Sequence, residues 1–350
     1  MNIRLTALLM LAAGTMTQWV MASETPPAAR EVPARTLPVP TTVSPEIQRL
    51  IAVPLSPTWN FHPTSAAQWK DMVAKSAAGI TAQVPGLLAK FNVKREQMQI
   101  AGVRVYLMTP NSLAARNRDR LLVHIHGGGY VQFPGEAGNT EAIMMAGFAH
   151  AKVLSIDYRM PPDFPYPAAL DDVIAVWREL IKTHDPKKMA IFGTSTGGGM
   201  TLAVVLRAKA EHLPLPAATA PGTPWSDLTK TGDSYFANEM VDNVLVGYEG
   251  FLSDAAKLYA NGHDLKDPFL SPVYGDFQGF PPTILTSGTR DLFLSNTVRV
   301  HRKLREAGVE ADLNVYEGQS HAQYVFDADA PETKEVFTEI ARFFDAHLAK

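Results

Sequence analysis

Ile191-Phe192-Gly193-Thr194-Ser195-Thr196-Gly197-Gly198-Gly199 joins two different patterns. A short apolar run, Met189 to Phe192, enters it, and a helical run, Met200 to Ala210, leaves it. Between them, Ser195 has a glycine two positions before it and another two positions after. A serine on a sharp strand-to-helix turn has backbone angles that crowd its neighbours, so side chains at those two positions must be absent. Such a turn lifts the hydroxyl clear of a sheet, with free N–H groups and the positive end of a helix behind it. A glycine-rich βα connection with no chemistry at all satisfies the same pattern. The rest of the chain decides between the two by whether it brings a base, an acid and hydrogen-bond donors to the same place.

Working outward, strand-like and helix-like runs alternate. Leu121–Ile125, Lys152–Ile156, Met189–Phe192, Ala217–Ala220, Thr283–Thr286 and Ala311–Tyr316 read as strands. Glu141–His150, Ala168–Lys182, Ser295–Ala307 and Glu332–His347 read as helices between or after them. This rhythm predicts a mainly parallel central sheet with helices on both faces, an α/β fold. Ile100, Val103, Val105 and Leu107 alternate around Gly102, which predicts two short antiparallel strands ahead of it. Earlier still, Ile47, Leu50 and Ile51, then Trp69, Met72 and Val73, recur at helical spacing. Residues 45–95 therefore read as an N-terminal helical segment, a packing element or a lid, and 96–350 as the α/β domain. From 225 to 272 the rhythm breaks into a cap-like insertion. It holds one signalled helix, with Ser253 as N-cap, Asp254 in the first turn and Gly262 beyond the end.

In a parallel α/β sheet, binding and chemistry gather beyond the C-terminal ends of the strands. His126-Gly127-Gly128-Gly129 follows one strand end, Ser195 a second, Asp291 a third and His321 a fourth. Serine is a weak nucleophile and needs a base within hydrogen-bond reach, which His321 supplies. Asp291 holds that imidazole in the right tautomer. Attack on an ester carbonyl makes an oxyanion, and consecutive glycines allow close N–H presentation to it. Gly128, Gly129 and the amide of Thr196 are the chosen donors.

Rival readings exist for several of these residues. His124 and His126 have a spacing that places both on one side of a strand, as in a zinc site, but no carboxylate motif accompanies them. Asp264, Asp327 and Asp329 are alternative acids. Asp264 lies in the insertion and the other two follow His321, so Asp291 is better placed. His62 and His263 fall in the cap region. Gly232-Asp233-Ser234 resembles a nucleophile turn but lacks the following glycine.

The 350 residues are 46% apolar and 19% charged, with net charge −3. That suits one large domain and an accessory piece, and gives no basic footprint for nucleic acid or an anionic membrane. Arg4, the apolar run Leu5–Met16, and Val20-Met21-Ala22 before Ser23 read as a signal peptide over 1–22. The run is shorter than the about 20 residues a bilayer requires, so no stable membrane anchor is expected after cleavage. The expected location is exported, periplasmic or secreted. Five prolines between Ser23 and Ser44 read as an extended linker over 23–44. With no cysteine, the chain has no disulfide to rely on.

These residues resemble the hormone-sensitive-lipase-like esterases, bacterial family IV of the α/β-hydrolases. His126-Gly127-Gly128-Gly129 matches the family's oxyanion loop. Asp157-Tyr158-Arg159-Met160-Pro161-Pro162-Asp163 and Phe164-Pro165-Tyr166-Pro167-Ala168-Ala169-Leu170-Asp171-Asp172 resemble its central signature. Gly193–Gly198 resembles its elbow, and the order Ser, Asp, His is the one that fold uses. The resemblance runs from about Val103 to the C-terminus. It implies an α/β-hydrolase fold with a helical cap, and a serine carboxylesterase acting on short acyl chains without cofactor; from the residues themselves no metal site is expected. The alternatives are a lactone hydrolase with the same triad and a non-catalytic small-ligand binder. The expected partner is a small ester or lactone. Three departures bear on substrate preference: Thr196 for the usual alanine, which adds a hydroxyl beside the oxyanion hole; Asp163 for glutamate; and Ala322-Gln323-Tyr324 after the histidine.

Overall fold

The computed structural model describes residues 29–349, so the expected signal peptide lies outside the described residues. Residues 29–38 carry no regular secondary structure. The compact unit begins at Val39, inside the proline-rich stretch. Three helices come first: α1 (Pro45–Ala52), α2 (Ala66–Thr81) and α3 (Val84–Phe91). Ser44 and Ser65 cap the first two through their side chains, accepting from Ile47 N and Gln68 N. Asn92 ends α3 in the left-handed conformation. Strands β1 (Val93–Ile100) and β2 (Val103–Pro110) follow as an antiparallel pair, the first starting earlier than the alternation at Ile100 suggests.

The remaining elements alternate. They are β3 (Leu121–Ile125), α4 (Thr140–Ala149), β4 (Lys152–Asp157), α5 (Ala168–Thr183), β5 (Met189–Thr194), α6 (Thr196–Ala210) and β6 (Ala218–Gly222). After the short α7 (Ser234–Ala237) and α8 (Phe251–Ala260) come β7 (Thr283–Gly288), α9 (Leu294–Glu306), β8 (Ala311–Tyr316) and α10 (Pro331–His347). The sheet order is β1-β2-β4-β3-β5-β6-β7-β8. Every pair from β4 to β8 is parallel, while β2 meets β1 and β4 antiparallel. This is the mainly parallel α/β sheet that the sequence rhythm predicts.

The central strands β3, β5, β6 and β7 are buried along their whole length, as strands covered on both faces must be. Their side chains alternate between two cores. Val123, Ile125 and Ile191 meet Val173, Trp177 and Val204 of α5 and α6. Leu122, Ala190 and Phe192 meet Ile143 of α4 and Phe337 and Phe344 of α10. The edge strand β1 carries Lys94, Arg95, Glu96 and Gln97, charged or polar groups that blunt edge pairing.

Above the strand ends, the insertion and the N-terminal helices meet. Phe251 N donates to Trp59 O at 3.0 Å, and Trp69 of α2 packs with Ala255 of α8 and Val131 of the glycine loop. Helix α8 starts before the expected Ser253. Gly250, at φ 105°, is the N-cap, and Ser253 instead turns its hydroxyl back to the Gly250 carbonyl at 3.1 Å. The earlier start follows from Gly250, where a Cβ would sit 2.8 Å from Asn60 Cα, so only glycine lets the chain turn beneath that segment. Among the described residues, no helix is long and apolar enough to cross a membrane.

The turn at Ser195 is closely packed against the neighbouring strand. A Cβ at either Gly193 or Gly197 would overlap the Ile125 carbonyl oxygen of the neighbouring strand. Gly197→Ala is therefore expected to destabilise the chain by about 1–3 kcal/mol or more, the usual cost of overpacking. Urea unfolding measures this, and an unchanged midpoint would contradict the packing.

Candidate active site

Ser195 sits between β5 and α6 with φ 64° and ψ −122°, a conformation that non-glycine residues avoid. Its surroundings hold it there. Ser195 N donates to Gly222 O at 2.9 Å, and Ser195 O accepts from Gly199 N and Trp225 N, both at 2.9 Å. Helix α6 begins at Thr196, so the three glycines belong to its first turn rather than to a loop.

Beneath the turn runs a buried polar chain. Tyr324 hydroxyl donates to Thr194 Oγ1 at 2.8 Å, and Thr194 donates to Glu141 Oε1 at 2.7 Å. Glu141 Oε2 lies 3.1 Å from His124 Nε2, and His124 Nδ1 lies 2.9 Å from Ser155 Oγ. Each hydroxyl can donate once and accept once along this line, so the network is satisfied and rigid. His124 is thereby committed to the core. His126 faces elsewhere, with Nδ1 2.8 Å from Gly127 O. Both ring nitrogens of His124 are thus taken, and no group of three or more possible metal ligands occurs among the described residues.

The signature after β4 shapes the glycine loop. Tyr158 stacks on His126, with centroids 4.2 Å apart, and its hydroxyl donates to His126 O at 2.8 Å. Asp157 Oδ1 accepts from Gly135 N at 2.9 Å, and Arg159 holds Asp172 through both its backbone and its guanidinium. Gly128 at φ 113° and Gly129 at φ 65° then turn the loop beside Ser195. The amides of Gly128, Gly129 and Thr196 have no acceptor among the described residues. The Thr196 side chain is fully buried. Its hydroxyl lies near that of Tyr158 without hydrogen-bond geometry to it, so the added group faces the interior. Asp163, the other departure in the signature, pairs with Lys70 of α2.

His321 comes from the loop after β8, and Asp291 from the loop after β7. His321 Nδ1 is 3.0 Å from Asp291 Oδ1 and 2.6 Å from Thr223 Oγ1. Ser287 donates to Asp291 Oδ2 at 2.7 Å, and Phe293 N donates to Oδ1 at 2.8 Å. The Phe293 ring meets the imidazole edge-on at 4.8 Å. These contacts put the Nδ1 proton toward Asp291 and leave Nε2 as the acceptor. Nε2 is buried with no partner, and it makes no hydrogen bond to Ser195 in this state. Catalytic hydrogen bonds in unliganded sites are commonly open and close around substrate. Asp264, Asp327 and Asp329 accept from nearby backbone amides or ion pairs at the surface, away from His321. His62 pairs with Asp254, and His263 meets the Tyr166 ring edge-on.

Ser195, His321 and Gly127–Gly129 line one cavity of about 180 Å³. Its other walls are mainly apolar, with Phe133 and Val325 on one side and Val244, Leu245 and Phe251 from the insertion on the other. Thr223 and Ser287 carry no motif in the sequence. They are recognisable only once β6, β7 and β8 are placed side by side.

Burial holds the His126 pKa down to about 4. The unfolded chain then binds a proton that the folded chain refuses between about 6.5 and about 4. Stability must fall as pH drops through that window. The expected result is a urea midpoint that declines from pH 7 to pH 4.5 by more in the wild type than in a His126→Gln variant. Equal declines would contradict the assignment.

Residues 122–325 match the family described as the alpha/beta hydrolase fold. The chain is 30% identical over 254 residues to an esterase of Acinetobacter venetianus, covering 72% of this chain and 82% of that one. It is 28% identical to an acetyl-hydrolase of Streptomyces hygroscopicus, over 66% of this chain and 76% of the relative. Among solved structures, that of an esterase E25 superposes with TM-score 0.89 at 44% identity, covering 92% of this chain and 99% of that one. An esterase from the bacterial hormone-sensitive lipase family superposes with TM-score 0.71 at 27% identity, over 87% and 99%. With its sheet order, its strained serine turn and these relatives together, the chain belongs to the α/β-hydrolase fold family, among the hormone-sensitive-lipase-like carboxylic ester hydrolases.

Proposed function

We propose that this esterase works through Ser195 as nucleophile, His321 as general base and Asp291 as the group that orients and stabilises the imidazole. The observation that carries the reading is the state of His321. Its Nδ1 is engaged by Asp291, and its Nε2 is unpartnered in the wall of the cavity that holds Ser195. Ser195 Oγ attacks the ester carbonyl carbon while its proton passes to Nε2. The carbonyl oxygen becomes an oxyanion facing the amides of Gly128, Gly129 and Thr196. Collapse expels the alcohol, which takes the proton from His321, and leaves acyl-Ser195. Water, deprotonated by His321, then attacks the acyl carbon, and collapse breaks the bond to Ser195 Oγ, which takes the proton back from His321 as the acid leaves.

The small apolar cavity suits a short acyl chain. An acetyl-hydrolase among the relatives supports the same size class. With p-nitrophenyl esters, acetate and butyrate are expected to turn over well and dodecanoate poorly, with simple lactones as the comparison set. Ser195→Ala is expected to lose activity by on the order of 10⁶-fold, the loss measured for a comparable triad, while keeping its fold. Retained turnover would place the nucleophile elsewhere. Lactones outperforming all open esters would make the chain a cyclic-ester hydrolase.

We also place the chain outside the cytoplasm, supported by the leader pattern of residues 1–22. Expressed in a Gram-negative host, the periplasmic fraction is expected to hold a chain whose N-terminus is Ser23. A cytoplasmic chain beginning at Met1 would contradict this.

A further inference from the structure

Asp242 lies in the insertion between α7 and α8 and is fully buried. Both its oxygens point at backbone N–H groups. Oδ1 accepts from Val244 at 2.8 Å and Leu245 at 3.0 Å. Oδ2 accepts from Leu292 at 2.8 Å and from His321 itself at 3.2 Å. Leu292 directly follows Asp291. One carboxylate therefore ties together the loop that presents the acid, the loop that presents the base, and the segment whose Val244 and Leu245 form the cavity wall.

Next to it, Asn243 makes the same junction with neutral groups. Its amide donates to Ser320 Oγ at 3.2 Å, and its side chain meets Leu50 O and Gln323 Nε2, both at 2.9 Å. Those bonds already fasten the insertion to the β8 loop and to α1. A buried carboxylate is an expensive additional fastener, because it must give up its hydration. Its presence calls for a use of its charge.

We propose that Asp242 is a positioning residue for ester hydrolysis: its carboxylate fixes the Asp291 and His321 loops and stabilises the imidazolium formed when Ser195 gives up its proton. This rests on the triad reading above. Asp242 does not line the cavity and touches no substrate; it acts through His321. Asp291 and His321 are the titratable groups that face it and interact with it electrostatically. The attraction between the Asp242 carboxylate and a charged imidazole favours both ionised forms. Burial and the Asp291 charge oppose this and push the Asp242 pKa up, to about 6. Once protonated, a carboxyl has a hydrogen to place and cannot keep four amide donors. The clamp then loosens as the pH falls through that range.

The test uses the full chain with p-nitrophenyl butyrate. Wild-type turnover and its loss in Ser195→Ala are read first; if either is missing, the triad reading fails and this role fails with it. Asp242→Asn keeps the side-chain size and removes the charge. It is expected to lower kcat by about tenfold or more, the worth of one or two charge-assisted hydrogen bonds, with KM within about threefold. Its acid limb should move to lower pH, because the imidazolium has lost a favourable charge. Asp242→Glu should return that limb toward the wild-type position. A folded Asp242→Asn with unchanged kcat, or with reduced kcat and an unmoved acid limb, would overturn the proposal. Should Asp242→Asn fail to fold, the wild-type profile decides. An acid limb falling with a two-proton slope supports the role, and a single-proton slope refutes it.

Discussion

The backbone of Ser195 is the constraint on which everything else rests. Its angles lie where side chains are unwelcome, at a cost of roughly 1–3 kcal/mol. Three hydrogen bonds at its own N–H and C=O hold it: one closes the first turn of α6, one needs β6 beside β5, and one needs the chain to return at Trp225. The glycines on either side allow the carbonyl of Ile125 to come close. The sheet, the glycine pattern and the position of the half-buried serine at the cavity are therefore one arrangement.

The same economy recurs around the site. Tyr158 shapes the glycine loop by stacking on His126 and binding its carbonyl. The polar chain from Tyr324 to Ser155 stiffens the floor under the turn. Phe293 and Thr223 confine the imidazole from two sides. Charged-state chemistry in a closed site needs dipoles already in place, since reorganising them during the reaction costs barrier height. Here the groups around Ser195 are held in place by packing and hydrogen bonds that are already formed.

Much of this was legible in the chain. Strand and helix runs gave the layered sheet because its central strands are buried on both faces while α5, α9 and α10 each bury one face. The strand-end positions of Ser195, Asp291 and His321 followed from the same pattern. The cap was harder to read. Ser253 looked like a helix start because its local chemistry suits one, but Gly250, packed beneath residues 59 and 60, sets the boundary. Thr223, Ser287 and Asp242 were invisible for a related reason. A buried hydroxyl or carboxylate has meaning only through partners far along the chain, and no local period records them. Thr196 was misplaced in the other direction. A hydroxyl next to Ser195 in sequence is buried in the first turn of α6.

The reactive atom can be identified most directly by treating the purified chain with a serine-reactive fluorophosphonate and mapping the adduct by peptide mass spectrometry. One stoichiometric adduct on Ser195, formed as activity is lost, is the predicted result. An adduct on any other serine, or full inactivation with Ser195 unmodified, would contradict it.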